Sequence, residues 1–244
     1  EPAIGTDGRP CVIAVPLGNR TVLVSVWQVL LGRVRLFLLD TDLEENAPWD
    51  RELSARLYGG DRETRIQQEI ILGIGGVRVL RAMGIQPAAW HLNEGHAAFV
   101  VLQRIRDHIE NGASFESALD AVRKTTVFTT HTPVPAGHDA FPFSLVETHL
   151  AGAWGTLGNY RDAFLALGHY DNGSGPLFNM TALALRTAGT VNGVSQLHGQ
   201  VTRDMWAPIW PGVASEERPV RAITNGIHVP TWISLDMPAM LDEY

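Results

Sequence analysis

Three short stretches of this sequence gather side chains able to do chemistry, and each falls where a strand should give way to a loop or helix. The first is His91–Leu92–Asn93–Glu94–Gly95–His96, which sets a carboxyl group between two imidazoles. Metal ligation is the obvious rival for such a set. The spacing, however, is not the HExxH pattern that places two histidines on one helical face. His91 inside a strand would also point away from a loop-borne His96. The expectation is no metal: Gly95 takes a tight turn, Asn93 or Glu94 caps the following helix, and His96 aims across the strand ends. The plain alternative is a helix cap beside a satisfied core histidine.

The second stretch runs Thr129–Thr130–His131–Thr132–Pro133–Val134–Pro135–Ala136–Gly137–His138–Asp139. Hydroxyls at a strand end, followed by a loop stiffened at Pro133 and Pro135, make a low-entropy platform. His131 and Thr132 would emerge at the carboxyl edge, suited to bonding sugar hydroxyls or donating to an anion. A purely structural loop is the competing reading. Ser–His–Asp hydrolysis is weaker, because no GxSxG nucleophile elbow is present. The third stretch is a pair: Val191–Asn192–Gly193–Val194–Ser195–Gln196–Leu197–His198 and Ile223–Thr224–Asn225–Gly226–Ile227–His228. Both read as Asn–Gly turns after strands, which predicts backbone amides arranged around one cleft. Gly73–Ile74–Gly75–Gly76 lies in a helix with the wrong spacing for a dinucleotide loop, and no P-loop occurs, so a nucleotide held by glycines is unsupported.

Those ends need elements to hold them. Thr21–Val29 alternates, Gly32 and Arg33 offer a turn, and Val34–Leu39 has strand length, which together predict an N-terminal β-hairpin. From Asp61, a candidate N-cap, Ile66, Ile70, Ile71, Ile74, Val77 and Leu80 recur at helical spacing. Gly73, Gly75 and Gly76 inside that helix predict close packing on a sheet. Pro87–Leu92 and Thr125–Thr130 read as strands, the latter buried on both faces. Gly95–Ile109 and Ser114–Val122 read as helices, the second capped by Ser114. Helix 181–188, strand 190–194, helix 196–206 and strand 220–224 follow. Such alternation predicts an α/β domain with a mainly parallel sheet, whose ligands lie beyond the carboxyl ends of the strands.

Composition narrows the classes. The chain has 244 residues, 45% hydrophobic and only 18% charged, with a formal net charge of −7. That excludes a disordered tail and argues against nucleic-acid binding through a general basic field. No stretch approaches the roughly 18 apolar residues that span a bilayer, so no membrane partner is expected. The single Cys11 permits no internal disulfide and fits a reducing cytoplasm. Of the basic side chains only Lys124 is a lysine. A low charge, and a start at Glu1 without a leader, suggest a piece of a larger protein with part of its surface covered.

Taken in order, these motifs resemble the α-glucan phosphorylases, the family of glycogen, starch and maltodextrin phosphorylases. The resemblance rests on 90–99, 127–138, 191–199 and 223–228. Leu57–Tyr58–Gly59–Gly60–Asp61 with the helix after it is similar to the family's substrate-gate loop, here shortened. It implies that the fold is Rossmann-like, with helices on both faces of the sheet, the N-terminal half of a GT-B glycosyltransferase. Residues 1–244 would form one domain, with 1–60 a β-rich peripheral segment and 61–244 the core. The implied activity is reversible phosphorolysis of α-1,4-glucan to glucose 1-phosphate in carbohydrate metabolism, the partners being glucan and phosphate. The implied cofactor is pyridoxal phosphate, held as a Schiff base by a lysine of a C-terminal domain absent here. No residue of this chain would bind it. The resemblance makes His131 the catalytic residue, contacting the sugar as positive charge develops at its anomeric carbon. Glu94, His96 and Thr132 would bind substrate, and Asp61 would lie on the gate. A homodimer is common in the family. Two alternatives remain: a GT-B glycogen or starch synthase, for which no nucleotide-sugar signature is found, and a non-catalytic glucan-binding module.

With the cofactor lysine and the phosphate-contacting loop outside this sequence, the 244 residues alone should release no glucose 1-phosphate from glucan, phosphate and pyridoxal phosphate. Measurable product from the isolated chain would overturn that expectation.

Overall fold

The computed structural model describes residues 1–56, 60–171, 173, 175–234, 236–237 and 240. The chain opens with β1 (Val12–Leu17), β2 (Arg20–Leu31) and β3 (Val34–Asp40), which form an antiparallel sheet in the order β1-β2-β3. The expected hairpin strands are joined by β1, which the sequence reading lacked. Ile13, Val15, Leu17, Val22, Val24 and Val26 alternate onto one buried face. Trp27, Val29, Leu36 and Leu38 stay exposed.

After the short α1 (Pro48–Arg51), a long helical run begins at α2 (Arg62–Ile70). Asp61 caps it, its side chain accepting from the Thr64 amide at 2.9 Å, as the sequence predicts. The run widens into a π-helical turn, Ile71–Gly75, then resumes as α3 (Gly76–Ala82). The glycines explain its tight seat, though not on one sheet as expected. A Cβ on Gly73 would lie 2.7 Å from Phe99, whereas one on Gly75 would meet Val15 of β1 at 3.3 Å. The helix is therefore clamped between the N-terminal sheet and the segment around Phe99, between residues 93 and 100.

That sheet is built from β4 (Trp90–Asn93), β5 (Thr126–Thr130), β9 (Thr190–Gly193) and β10 (Val220–Ala222), all parallel, in the order β10-β9-β5-β4. Between them in sequence come α4 (Val100–Glu110), α5 (Phe115–Lys124), α8 (Met180–Thr187) and α9 (Gln196–Met205). Helices on both sides of this four-stranded parallel sheet are consistent with a Rossmann-like α/β domain. Ser114 and Ser195 cap α5 and α9 through the amides of Ser117 and His198.

Segment 139–179 departs from the expectation most. It holds β6 (Ala140–Phe141), α6 (Phe143–Leu150), α7 (Arg161–Gly168), β7 (His169–Asp171) and β8 (Pro176–Asn179), with the strands forming a second antiparallel sheet in the order β6-β8-β7. Its anchor is Phe178, fully buried and stacked on Phe99 and Phe164. The chain then ends its described part near α10 (Val229–Trp232). Among the described residues no helix is long and apolar enough to cross a membrane.

Two of the three helical glycines make opposite predictions. Gly73→Ala should cost about 1–3 kcal/mol by overpacking against Phe99. Gly76→Ala, with nothing within 4 Å of the added carbon, should be neutral or gain up to about 1 kcal/mol. Urea midpoints measure both, and equal midpoints would contradict this account of the clamp.

Candidate functional site

At the carboxyl edge of the parallel sheet the polar side chains sort into two groups. The first centres on Glu94. Among the described residues it is the non-glycine with positive φ, at +63°, a conformation that costs of order 1–3 kcal/mol. Gly95 opens the tight turn Gly95–Ala97 as expected, but the positive φ falls on Glu94, and a Cβ at Gly95 would press on Met180 and Thr181 at 3.1 Å. One expectation changes: Glu94 does not cap its own helix. Its Oε1 instead accepts from the His131 amide, from the Thr132 amide at 2.9 Å and from Thr132 Oγ1 at 3.1 Å. Thr130 Oγ1 donates to the other oxygen at 3.4 Å. These bonds offset the backbone strain and fix the start of the Pro133–Pro135 loop. His131 projects half-exposed from that start, its Nδ1 3.5 Å from Glu94 Oε1.

Beneath this group a polar ladder crosses the sheet. His91 Nε2 lies 2.7 Å from Thr129 Oγ1, which donates to Asn192 Oδ1 at 2.8 Å. Asn192–Gly193 is therefore strand, not the turn its residue types predict. The amides expected to surround a cleft are also taken: Val194 N donates to His198 Nδ1 at 3.2 Å, and Asn225 N to Val194 O at 3.1 Å.

The second group joins α2, the turn Gly95–Ala97 and Asp139. His96 Nδ1 is 2.9 Å from Asp139 Oδ2 and 3.6 Å from Glu69 Oε1. Arg65 reaches Asp139 Oδ2 from Nη2 at 3.1 Å and Glu69 Oε1 from Nε at 3.2 Å. Arg65 Nη2 also stands 2.5 Å from His96 Nδ1. Both side chains thus converge on the same Asp139 carboxylate oxygen. Burial pushes the Glu69 carboxyl up to about 8. Hydrogen bonds to Asp139, then to Glu69, raise His96 to about 9. Burial works to raise Asp139, but hydrogen bonds from His96, Glu69 and Arg65 outweigh it and hold its carboxyl well below the usual range.

This group walls a cavity of about 1080 Å³ whose lining includes Asp61, Arg65, His96, His138, Asp139 and Trp206. Of the residues singled out in the sequence, Asp61 and His96 face this cavity, whereas Glu94, His131 and Thr132 form the adjoining strand-end loop. Leu57, Tyr58 and Gly59 of the gate motif lie outside the described residues. His91, Glu94 and His96 do not converge. Among the described residues the set with metal-like spacing is Glu69, His96 and Asp139, whose ligand atoms lie within 4.8 Å of one another. Arg65 already supplies the positive charge there. Sequence reasoning missed Glu69, although its position between Ile66 and Ile70 on an apolar stripe was the available signal. Arg65 four residues earlier completes an i, i+4 pair.

The chain has clear relatives. It is 48% identical, over its whole length, to the maltodextrin phosphorylase of Thermococcus litoralis. Over 93% of its length it is 45% identical to the glycogen phosphorylase of Mycobacterium tuberculosis, and over 98% it is 38% identical to that of Aquifex aeolicus. The chain spans 28–34% of the length of these relatives. They bear out the likeness to the α-glucan phosphorylases along the entire chain. No family model matches it.

The cluster sets a pH dependence of stability. The unfolded chain would release the Glu69 proton near 4.5, but the folded one keeps it to about 8, so stability falls between those values. The His96 contribution is complete below 6.5 and is lost as pH rises through about 9. Asp139 acts only at the acid end, its contribution being lost below the ordinary 3.8. The melting temperature at pH 9 should therefore sit roughly 5 °C or more below that at pH 6, and Glu69→Gln should flatten the slope between pH 5 and 8. A melting temperature that rises over this interval would contradict these proton assignments.

Proposed function

We propose that this chain is part of an α-1,4-glucan phosphorylase, the glucan-facing wall of its cleft, in an enzyme that releases glucose 1-phosphate from a storage glucan or maltodextrin with inorganic phosphate. The observation that carries this reading is the likeness to a maltodextrin phosphorylase along the whole chain. The site geometry supports it. A large cavity lined by carboxylate, guanidinium, imidazole and aromatic groups offers the donors, acceptors and flat apolar surfaces that a sugar chain needs.

On this reading residues 1–244 form one domain, 1–60 peripheral and 61–244 core, in the N-terminal half of a GT-B fold. Asp61, Arg65 and His96 bind glucan in the cavity. Glu94 holds the loop that carries His131 and Thr132. His131 then stands at the glucosyl subsite, where its role is to position the sugar and stabilise charge developing at the anomeric carbon. Thr132 supports that loop through its bonds to Glu94.

The family's reaction takes its acid–base chemistry at phosphate from pyridoxal phosphate. This chain's residues do not fit that group. Its lysine, Lys124, is 72% exposed, pairs with Asp120 at 2.6 Å, and ends α5 just before β5, at the opposite edge from the site. The cofactor belongs, on this reading, to the remaining polypeptide. That polypeptide would also cover the apolar strand face at Trp27, Val29, Leu36 and Leu38, since exposed patches of this kind mark contact surfaces. A homodimer and a cytoplasmic setting come with the same reading.

The test uses the full-length polypeptide loaded with pyridoxal phosphate. Maltoheptaose and phosphate should yield glucose 1-phosphate, and the absence of product would sink the proposal. His131→Ala should lower kcat by roughly 100-fold or more while the KM for maltoheptaose changes only a few-fold.

A further inference from the structure

Glu69 is the most deeply buried ionisable side chain of the cluster, 1% exposed; it lies on the helix that follows the gate motif but is not one of the expected site residues. It sits behind Arg65 and His96. Those two side chains line the large cavity on one side and a second, mostly apolar cavity of about 360 Å³ on the other, walled by Phe37, Leu39, Leu53 and Leu72. Glu69 lines only the second. Arg65 and His96 thus stand between the two cavities, each held by both Asp139, which lines the large one, and Glu69, which lines the apolar one. An oxygen of each carboxyl group lies within 4.8 Å of the other.

We propose that Glu69 is a positioning residue for glucan, holding Arg65 and His96 in the orientation in which they face the sugar chain. This rests on the reading of the large cavity as a glucan site. The reasoning is mechanical and electrostatic together. With Asp139 alone, both cations would swing toward one carboxylate and cover it, removing an acceptor and two donors from the cavity surface. A second carboxyl group behind them balances that pull. Its proton, retained near neutral pH because the site is buried, lets it contact both neighbours without becoming a second full negative charge that would draw them inward. No group on the apolar side replaces it, because the lining there is leucine, phenylalanine and isoleucine apart from Ser54, Arg56 and Gln68. Gln68 is already engaged, donating to the carbonyls of Leu53 and Arg56 at 2.9 and 3.0 Å.

The experiment compares Glu69→Ala and Glu69→Gln with the parent sequence by two readouts. In the full-length enzyme, Glu69→Ala should raise the KM for maltoheptaose about tenfold, which corresponds to about 1.4 kcal/mol, with the KM for phosphate unchanged. Glu69→Gln, which keeps shape and hydrogen-bonding capacity, should restore the KM to within about twofold. In the 244-residue chain, NMR titration of the His96 imidazole should show its midpoint falling by about one pH unit in Glu69→Ala. A folded Ala variant with the parental KM overturns the proposal, as does a Gln variant no better than Ala. Should Glu69→Ala not fold, Glu69→Met is judged by the same criteria. If the full-length parent makes no glucose 1-phosphate, the glucan reading has failed independently. The His96 titration then decides alone: an unchanged midpoint overturns the positioning role, and a lowered one upholds it.

Discussion

Two cations gripped between two carboxyl groups tie three distant segments of this chain together, and the cavity takes its form from that knot. Arg65 and Glu69 come from α2, His96 from the turn after β4, and Asp139 from the loop after β5. Burying one of these charges alone would cost several kcal/mol. Together, with a proton retained on Glu69, they leave a single net positive charge on the wall at neutral pH. The knot in turn relies on backbone placement. Asp139 is fixed because its carbonyl accepts from the Met180 amide at 3.0 Å, at the head of α8. Gly95 allows the His96 turn to approach that same helix. Gly73 brings α2 close enough to Phe99 for Glu69 to reach across. A bulkier residue at either glycine would separate the segments that the charges join.

How much of this is legible in the sequence depends on how local each cause is. The caps at Asp61 and Ser114 were readable because a side chain and an amide three residues on decide them. Strand β5 was readable because Thr126–Thr130 has the unbroken β-forming run of a strand buried on both faces. The second antiparallel sheet was not, since strands of two to four residues are too short to show alternation, and Phe178 earns its place only through partners far away in sequence. Asn192–Gly193 misled for a similar reason. The residue types favour a turn, but Thr129 on the neighbouring strand satisfies the asparagine within the sheet. At Glu94–Gly95 local preference points to the wrong residue for positive φ. Gly95 is needed for clearance against α8, so the strain passes to Glu94, whose carboxylate offsets it with bonds to another loop.

The two polar groups at the carboxyl edge are built on different physics, and this bears on what each can do. Glu94 accepts from amides and hydroxyls of one short loop, so its effect is geometric: it sets where His131 begins. The Arg65–Glu69–His96–Asp139 group has mobile protons and long side chains, so its effect is a field and a set of donors on a cavity wall. Neither group contains a nucleophile paired with a base. His131 has its Nδ1 beside a carboxylate that already accepts from four other donors, an arrangement that orients the ring. Under the proposed function such a surface holds and polarises a substrate. The exposed Lys124, paired with Asp120 at the opposite edge of the sheet, does not reach it.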